Sequence, residues 1–268
     1  MSSKKYFFII SNGRTGSTWL ETMLGELPDV FVDYEFKWCR PTSSVVHKII
    51  TNNSFSCSQT LDSLSNTSPI VGSKLILDPK IYTNKDFENI ESTIEKEIRI
   101  IYLKRDYKNM LFSFLRGTYN ILNKTENIPD TNIYKALLKS TKEHYDNKYS
   151  LHKINNKASI KKCIQYLDAF INNDKWIMSL KYKRDYFLEI NYCEISDRFS
   201  EISQFIGSKA SNEIIETITQ NPPTKKLPPI DINKYVDNLD KINYYCDLYE
   251  NKRILFNNEL IKKIKDKQ

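Results

Sequence analysis

The residues best suited to chemistry near the start of the chain form a loop rich in glycine and hydroxyl groups. This loop covers residues 11–18 and reads Ser-Asn-Gly-Arg-Thr-Gly-Ser-Thr. An apolar run over 6–11 precedes it, and residues 18–27 after it have the apolar spacing of a helix. In a strand–loop–helix unit, backbone N–H groups at the helix N-terminus converge on an anion. The loop is therefore predicted to bind a phosphate group. Its additional hydroxyl donors would be Thr15, Ser17 and Thr18.

The loop departs from the G-x-x-x-x-G-K-[ST] pattern that binds nucleoside triphosphates. When the two are aligned on Gly16, Ser11 stands at the first glycine and Ser17 at the lysine, while the basic residue has moved to Arg14. The lysine and the Mg²⁺-anchoring hydroxyl of that pattern serve a triphosphate. The loop therefore favours a donor that needs less charge neutralisation and no metal ion.

A second anion-binding candidate lies further along the chain, after the apolar run over 98–103. Arg105 follows this predicted strand, and the carboxyl ends of strands face the ligand crevice of an open α/β sheet. A helix is predicted over about 107–115, and Ser113, two turns along it, can return to the same phosphate. Arginine offers a planar fork to phosphate oxygens, which suits Arg105 to this role.

These two segments resemble motifs of the sulfotransferases that use 3′-phosphoadenosine 5′-phosphosulfate. Arg14-Thr15-Gly16-Ser17-Thr18-Trp19 is similar to their 5′-phosphosulfate-binding loop. Residues 98–106 with Ser113 resemble their 3′-phosphate-binding motif. Residues 188–195 are similar to a late strand with a Tyr-Glu-Asp-Leu segment, although here Cys193 follows Tyr192 and the acid is Glu194. The resemblance covers residues 6–35, 71–79, 98–117 and 186–207.

The resemblance implies roles for individual residues. Arg14 would contact the sulfate and the leaving phosphate oxygen, and Arg105 and Ser113 would bind the 3′-phosphate. Trp19 would stack on the adenine, unless it belongs to the core as a Trp one turn into a helix often does. Tyr192 would touch the adenine region, and a core position suits it equally well.

The general base is a separate question, because many small-molecule sulfotransferases use a histidine near the end of the strand equivalent to 70–77. No histidine stands there in this sequence. The branches acting on carbohydrates and protein tyrosines place a Glu after the first helix and a short second strand. Residues 32–37 fit that arrangement, which makes Glu35 the candidate base. The alternatives are that Glu35 is an ordinary solvated residue or that the neighbouring Asp33 is the base.

Three lysines complete the predicted site. Lys74, inside the buried-strand pattern over 70–77, resembles the family's strand lysine that points at the transferring sulfate; a lysine reaching solvent from a strand edge is the alternative. Lys225 and Lys226 lie between prolines and resemble the late basic loop with which the family closes over the donor, or form an exposed basic turn.

Strands that alternate with helices predict an α/β fold with a central parallel sheet, a P-loop-like strand–loop–helix unit and flanking helices. The length of 268 residues suits a single sulfotransferase domain over 1–268, with a helical acceptor-side insert over about 119–185. The resemblance implies 3′-phosphoadenosine 5′-phosphosulfate as donor, no metal, and a carbohydrate or other small-molecule hydroxyl as acceptor.

Composition narrows the function classes further. The net charge is +7, and the charges alternate in sign along most of the chain, which favours one small polyanion over nucleic acid as partner. No apolar stretch is long enough for a membrane span or a signal peptide, so a cytoplasmic protein is expected. The five scattered cysteines indicate neither a zinc site nor a disulfide framework. The rival hypotheses are a nucleotide-dependent kinase and a non-catalytic module that binds a nucleotide or nucleic acid.

Overall fold

The structure is a computed structural model that describes residues 4–33, 57–65, 67–77, 87–88, 91–92, 94–113, 160–223 and 238–265. In chain order its elements are β1 (Lys5–Asn12), α1 (Ser17–Gly25), β2 (Val30–Asp33), α2 (Cys57–Asp62), β3 (Ile70–Leu77), β4 (Arg99–Lys104), α3 (Ile160–Lys181), β5 (Phe187–Asn191), a 3₁₀ turn (Tyr192–Glu194), α4 (Phe199–Ile206), α5 (Asn212–Gln220) and α6 (Leu239–Lys265). Residues 107–113 are also helical.

The five strands form one sheet in the order β2-β3-β1-β4-β5, and every neighbouring pair is parallel. All eight residues of β3 are buried, as expected for a strand covered on both faces. The strand order reverses between β1 and β4, which is where open α/β sheets bind their ligands, outside the carboxyl ends of the strands. The predicted α/β fold with a central parallel sheet is therefore confirmed.

Side chains alternate between the two faces of this sheet, and aligned residues of parallel neighbours share a face. Ile9 aligns with Lys74 and Ile101, and these positions belong to the face that we call the α1 face. Its core contains side chains from the sheet and from helices α1, α4 and α5, among them Phe7, Leu20, Met23, Phe199, Ile202 and Ile215. Ile10 aligns with Tyr102 on the opposite face, which we call the α3 face.

The chain divides into two compact units. The first comprises residues 1–105 and 172–224, and the second comprises residues 106–171 and 225–268. The first unit contains the whole sheet, whereas the second is helical in its described part. The core of the second unit draws on residues 107–111, the first half of α3 and α6. Its buried members include Tyr107, Met110, Cys163, Leu167, Phe170, Ile242 and Cys246.

Element boundaries agree with the sequence patterns where the chain follows simple periodicity. The strands begin and end within about two residues of their predicted limits. The sequence pattern predicts a helix over Ser196–Ile206 that ends at Gly207. In the structure α4 begins at Phe199, because the 3₁₀ turn and the turn after it precede the helix. Gly207 ends it as predicted, with a φ of +86°, and Ser208 N donates to Ser203 O at 3.0 Å.

Two helices were not predicted, and a third is longer than expected. The sequence predicts irregular structure over 42–68 apart from a short helix near 45–50, but α2 lies in this stretch. Helix α5 was missed although Ser211 caps it by accepting from Ile214 N. A tyrosine-rich pattern predicts a helix over about 232–249, and α6 continues to Lys265. Within the described ranges, no helix is both long enough and apolar enough to span a membrane.

Candidate anion-binding site

The loop between β1 and α1 holds two residues in the left-handed region of backbone space. The φ angle is 69° at Arg14 and 86° at Gly16. For a residue with a side chain this conformation costs about 1 kcal/mol, so Arg14 is kept there by its surroundings. The Gly16 carbonyl accepts from Trp19 N at 2.9 Å and from Leu20 N at 3.2 Å, which starts α1 directly at the loop. The N-terminus of α1 therefore opens onto the carboxyl end of β1, as predicted.

Gly16 also lies against an aromatic ring. A Cβ atom added at this position would stand 2.3 Å from two ring carbons of Tyr192, a distance that no side chain tolerates. Tyr192 belongs to the 3₁₀ turn after β5, and its ring meets Trp19 edge-on with centroids 6.0 Å apart. Trp19 is buried in the core of the first unit. Gly16 and Tyr192 are far apart in the sequence, and the fold brings them into contact.

Arg105 connects the end of β4 to the same loop. Its Nη1 donates to the Arg14 carbonyl oxygen at 3.0 Å, and its guanidinium carbon lies 4.5 Å from the centroid of the Tyr192 ring. Burial raises the pKa of Tyr192, and the nearby Arg105 charge opposes that shift. The ring is therefore neutral at physiological pH and presents its face to the cation. Arg105, Arg14, Gly16 and Tyr192 form one cluster around the loop.

The loop hydroxyls differ in what they contact. Thr15 is buried and its Oγ1 donates to the Asn12 carbonyl oxygen at 3.1 Å, so this hydroxyl closes the loop on itself. Thr18 is half-buried on the first turn of α1, and its Oγ1 accepts from Lys74 Nζ at 3.0 Å. Ser17 is buried at the start of the helix. Thr18 is thus the loop hydroxyl whose described partner is a cation.

Lys74 lies in the middle of β3 and is completely enclosed. Its Nζ is 2.6 Å from Glu21 Oε2, and neither side chain is exposed to solvent. Glu21 was not a predicted site residue. The sequence signal that could have found it is a carboxylate at helical spacing within the otherwise apolar and hydroxyl-bearing α1, opposite a lysine in a buried strand. The alternative of a lysine that reaches solvent from a strand edge is excluded by this burial.

A second buried polar cluster, on the α3 face, was also missed. Asp174 Oδ1 accepts from Asn12 Nδ2 at 2.7 Å and from the Tyr102 hydroxyl at 2.5 Å. Asn173 Nδ2 donates to Asn12 Oδ1 at 2.8 Å and to the Leu77 carbonyl oxygen at 3.0 Å. This network fastens the ends of β1 and β3 where the loop begins. Its sequence signal is a carboxylate, Asp174, on the apolar stripe of α3.

The remaining predicted site residues fall in different places. Ser113 is half-buried in the helical stretch 107–113 of the second unit, which Asp106 caps by accepting from Asn109 N at 2.7 Å. Glu35, Lys225 and Lys226 lie outside the described residues. Their roles, and that of Ser113, stay predictions.

A parallel sheet with an anion loop between its central strand and the next helix defines a broad class of α/β proteins that bind phosphate esters at that loop. Comparison with solved structures narrows the class to the sulfotransferase fold. Sulfotransferase STF9 from Mycobacterium avium superimposes with a TM-score of 0.53 at 10% identity, over 94% of this chain and 77% of that one.

Sulfotransferase STF1 from Mycobacterium tuberculosis H37Rv gives a TM-score of 0.52 at 10% identity, over 94% of this chain and 76% of that chain. No protein-family model matches the sequence, and no curated protein sequence matches it significantly. At these identities the superpositions establish the fold, and the predicted sulfotransferase fold is confirmed.

Proposed function

We propose that this protein is a sulfotransferase that moves a sulfuryl group from 3′-phosphoadenosine 5′-phosphosulfate to a hydroxyl of a carbohydrate or another small acceptor, without a metal ion. The observation that carries the proposal is the position of Arg105. This residue donates to the Arg14 carbonyl and stacks on the Tyr192 ring, which covers Gly16. Arg105, the cation proposed for the 3′-phosphate, is thereby held against the loop proposed for the 5′-phosphosulfate. A donor with two separate anionic groups requires both binding positions.

In the proposed reaction, the acceptor oxygen forms a bond to sulfur while the bond between sulfur and the leaving phosphate oxygen breaks. The acceptor proton goes to a general base, for which we propose Glu35, and 3′-phosphoadenosine 5′-phosphate leaves with the electron pair. Cations and hydrogen-bond donors near the breaking bond stabilise the charge that develops on the leaving oxygen. Ser17 in place of the triphosphate-loop lysine supports a donor whose group at this loop, a phosphosulfate, carries less charge than a triphosphate.

The other assignments are part of the same proposal. Arg14 and the loop hydroxyls would bind the 5′-phosphosulfate, and Arg105 with Ser113 would bind the 3′-phosphate. The adenine would contact Tyr192, whose ring is in edge contact with the buried Trp19. Lys225 and Lys226 would close over the donor from the late basic loop.

Thermal unfolding with added nucleotide tests the choice of donor. Saturating 3′-phosphoadenosine 5′-phosphate, at 100 times its Kd, should stabilise the protein by about 2.7 kcal/mol, whereas ATP with Mg²⁺ should give a much smaller effect. Stabilisation by ATP with Mg²⁺ alone would overturn the proposal in favour of a kinase.

The chain offers a matched control for the role of Arg105. Arg99 lies at the opposite end of the same strand and also stacks on a tyrosine, with its guanidinium carbon 5.1 Å from the Tyr186 centroid. Arg105→Gln should weaken binding of 3′-phosphoadenosine 5′-phosphate about 10- to 100-fold in calorimetry, because it removes a charged hydrogen-bond donor. Arg99→Gln should leave the affinity unchanged. Equal affinities of the two variants would remove Arg105 from the site.

The assignment of Glu35 needs a separate measurement, because a base is required for transfer and not for donor binding. Glu35→Gln should bind 3′-phosphoadenosine 5′-phosphate like the wild type while losing sulfuryl transfer to a panel of carbohydrate and phenolic hydroxyls, followed with radiolabelled donor. Transfer at near wild-type rate would assign the base to another group.

A further inference from the structure

The buried ion pair beneath the loop is difficult to explain by stability alone. Lys74 and Glu21 have fully buried side chains, and two charges removed from water lose more hydration energy than most ion pairs recover. Replacing a buried ion pair by apolar residues of similar volume is often neutral or even stabilising for a fold. Glu21 itself belongs to α1, whose N-terminus opens onto the proposed donor site. A role in the chemistry of that site accounts for its presence.

Thr18 is the group through which the pair reaches the site. Its Oγ1 accepts from Lys74 Nζ at 3.0 Å, and a hydroxyl has one proton to donate and two lone pairs to accept with. The contact with Lys74 therefore leaves the Thr18 proton available. Within the described part of the chain, no residue accepts that proton in a hydrogen bond, and Thr18 is half-buried on the first turn of α1. An adjacent ammonium makes a hydroxyl a stronger donor because hydrogen bonds in a chain polarise one another.

Glu21 defines where the ammonium sits. Thr18 and Glu21 are three residues apart on α1 and so share one helix face, which lies over Lys74. The ammonium therefore contacts a carboxylate oxygen at 2.6 Å and a hydroxyl oxygen at 3.0 Å from the same helix. Because Lys74 belongs to the interior of a fully buried strand, its backbone is fixed as well. Glu21 thus fixes the Lys74 ammonium, and the ammonium fixes the orientation of the Thr18 hydroxyl. Both charged groups are buried.

We propose that Lys74 acts on the transferring group through Thr18, and that Glu21 is the positioning residue that holds Lys74 against this hydroxyl. The inference rests on the proposed function. Thr18 would donate a hydrogen bond to an oxygen of the 5′-phosphosulfate and keep its proton throughout. As the bond between sulfur and the phosphate oxygen breaks, negative charge grows on the leaving phosphate group. The hydrogen bond that Thr18 donates to it then strengthens. In this arrangement Lys74 makes no direct contact with the sulfuryl group.

Cleavage of the donor with water as acceptor tests this proposal without a known acceptor. In that reaction water forms the new bond to sulfur and releases its proton to buffer, and the products are sulfate and 3′-phosphoadenosine 5′-phosphate. Thr18→Val should slow cleavage about 100-fold, as the loss of one donor to a developing oxyanion does. Thr18→Ser, which keeps the hydroxyl, should restore the rate to within about threefold of wild type.

The decisive comparison is a double-mutant cycle between Thr18 and the ion pair. Glu21→Met with Lys74→Met removes both charges together and should slow cleavage by a factor no larger than that of Thr18→Val. In the Thr18→Val background, removing the same two charges should slow cleavage no further. Glu21→Gln with Lys74→Gln provides a second uncharged pair if the methionines prevent folding, which circular dichroism would reveal.

Any other result of these measurements would contradict a specific part of the proposal. If the triple variant loses the product of the two factors, Lys74 acts independently of Thr18. If an uncharged pair cleaves the donor at wild-type rate, Lys74 and Glu21 are purely structural. In both cases the wild type binds 3′-phosphoadenosine 5′-phosphate and the proposed function stands. If the wild type neither binds it nor cleaves the donor, the proposed function fails, and this inference fails with it.

Discussion

The two faces of the sheet support the loop after β1 with different kinds of buried polar groups. On the α1 face, Lys74 and Glu21 form an ion pair at 2.6 Å with no exposed side-chain surface. On the α3 face, the Asp174 carboxylate accepts from two neutral donors, Asn12 and Tyr102. The α1 face thus buries two opposite charges in contact, whereas the α3 face buries one charge among neutral hydrogen-bond donors.

The two clusters also contact the loop differently. Lys74 reaches a hydroxyl at the helix N-terminus, Thr18, that can face a bound anion. The network around Asp174 reaches Asn12, whose carbonyl oxygen in turn accepts from Thr15. We infer that the ion pair on the α1 face affects the electrostatic potential at the loop. The network on the α3 face instead holds the backbone at the end of β1 in place. This difference predicts distinct results for variants on the two faces.

The largest effect is expected from breaking the ion pair on one side only. Lys74→Met leaves the Glu21 carboxylate buried without this cation and should lower the free energy of unfolding by about 3–5 kcal/mol. Adding Glu21→Met should recover most of that loss, because the second charge is removed as well. Urea unfolding of the three proteins measures both steps. A double variant as unstable as the single variant would show that packing, and not the unpaired charge, causes the loss.

A smaller effect is expected on the α3 face. Asp174→Ala removes one acceptor from Asn12 Nδ2 and the Tyr102 hydroxyl, and should lower the free energy of unfolding by about 2–3 kcal/mol. Binding of 3′-phosphoadenosine 5′-phosphate should weaken too, since the end of β1 is no longer held. Asp174→Asn is the matched control, because it keeps an acceptor oxygen and should lose about 1 kcal/mol. Equal losses in the two variants would argue against the hydrogen bonds as the cause.

The smallest effect is expected at the margin of the α3 face, where Glu189 pairs with Lys104 and Lys181 at 2.6 and 3.3 Å. Burial raises the pKa of Glu189, but the bonds to Lys104 and Lys181 outweigh it and leave the pKa below its usual 4.5. A lowered folded-state pKa means that the stabilisation is present above pH 4.5 and is lost as the pH falls through the folded-state value.

Glu189→Gln should therefore lower the free energy of unfolding by less than about 1 kcal/mol at pH 7, because the pair is partly exposed. Urea unfolding at decreasing pH should show the wild type and the variant converging below pH 4.5, and added salt should narrow the difference at pH 7. A difference that persists unchanged in acid and in salt would show that Glu189 does not stabilise the protein through its charge.

The parts of the site that are contiguous in sequence could be predicted. The loop over 11–18 combines a buried strand, two glycines and a helix start, and each of these is a local signal. Arg105 was predicted because it directly follows a buried strand, and the carboxyl ends of parallel strands meet at one edge. The structure agrees on both points, with Arg105 bonded to the loop itself.

The missed residues depend on contacts between distant parts of the chain. Glu21 and Lys74 are 53 positions apart, and Asn12 and Asp174 are 162 apart. Glu21 alone resembles an exposed helix residue, and Asp174 alone resembles an irregularity in an amphipathic helix. Because both side chains are buried, each needs a hydrogen-bonding or charged partner to offset the loss of hydration.

Strand and helix periodicity, the glycines of the loop and the position of Arg105 were determined by the sequence alone, because they follow from backbone sterics and from alternation along a few neighbouring residues. Only the tertiary structure decided that Tyr192 covers Gly16, that Lys74 is enclosed with Glu21 and Thr18, and that Asp174 holds the end of β1. Those partners are selected by the order of the strands and by which helix covers which face, and both depend on the packing of the whole core.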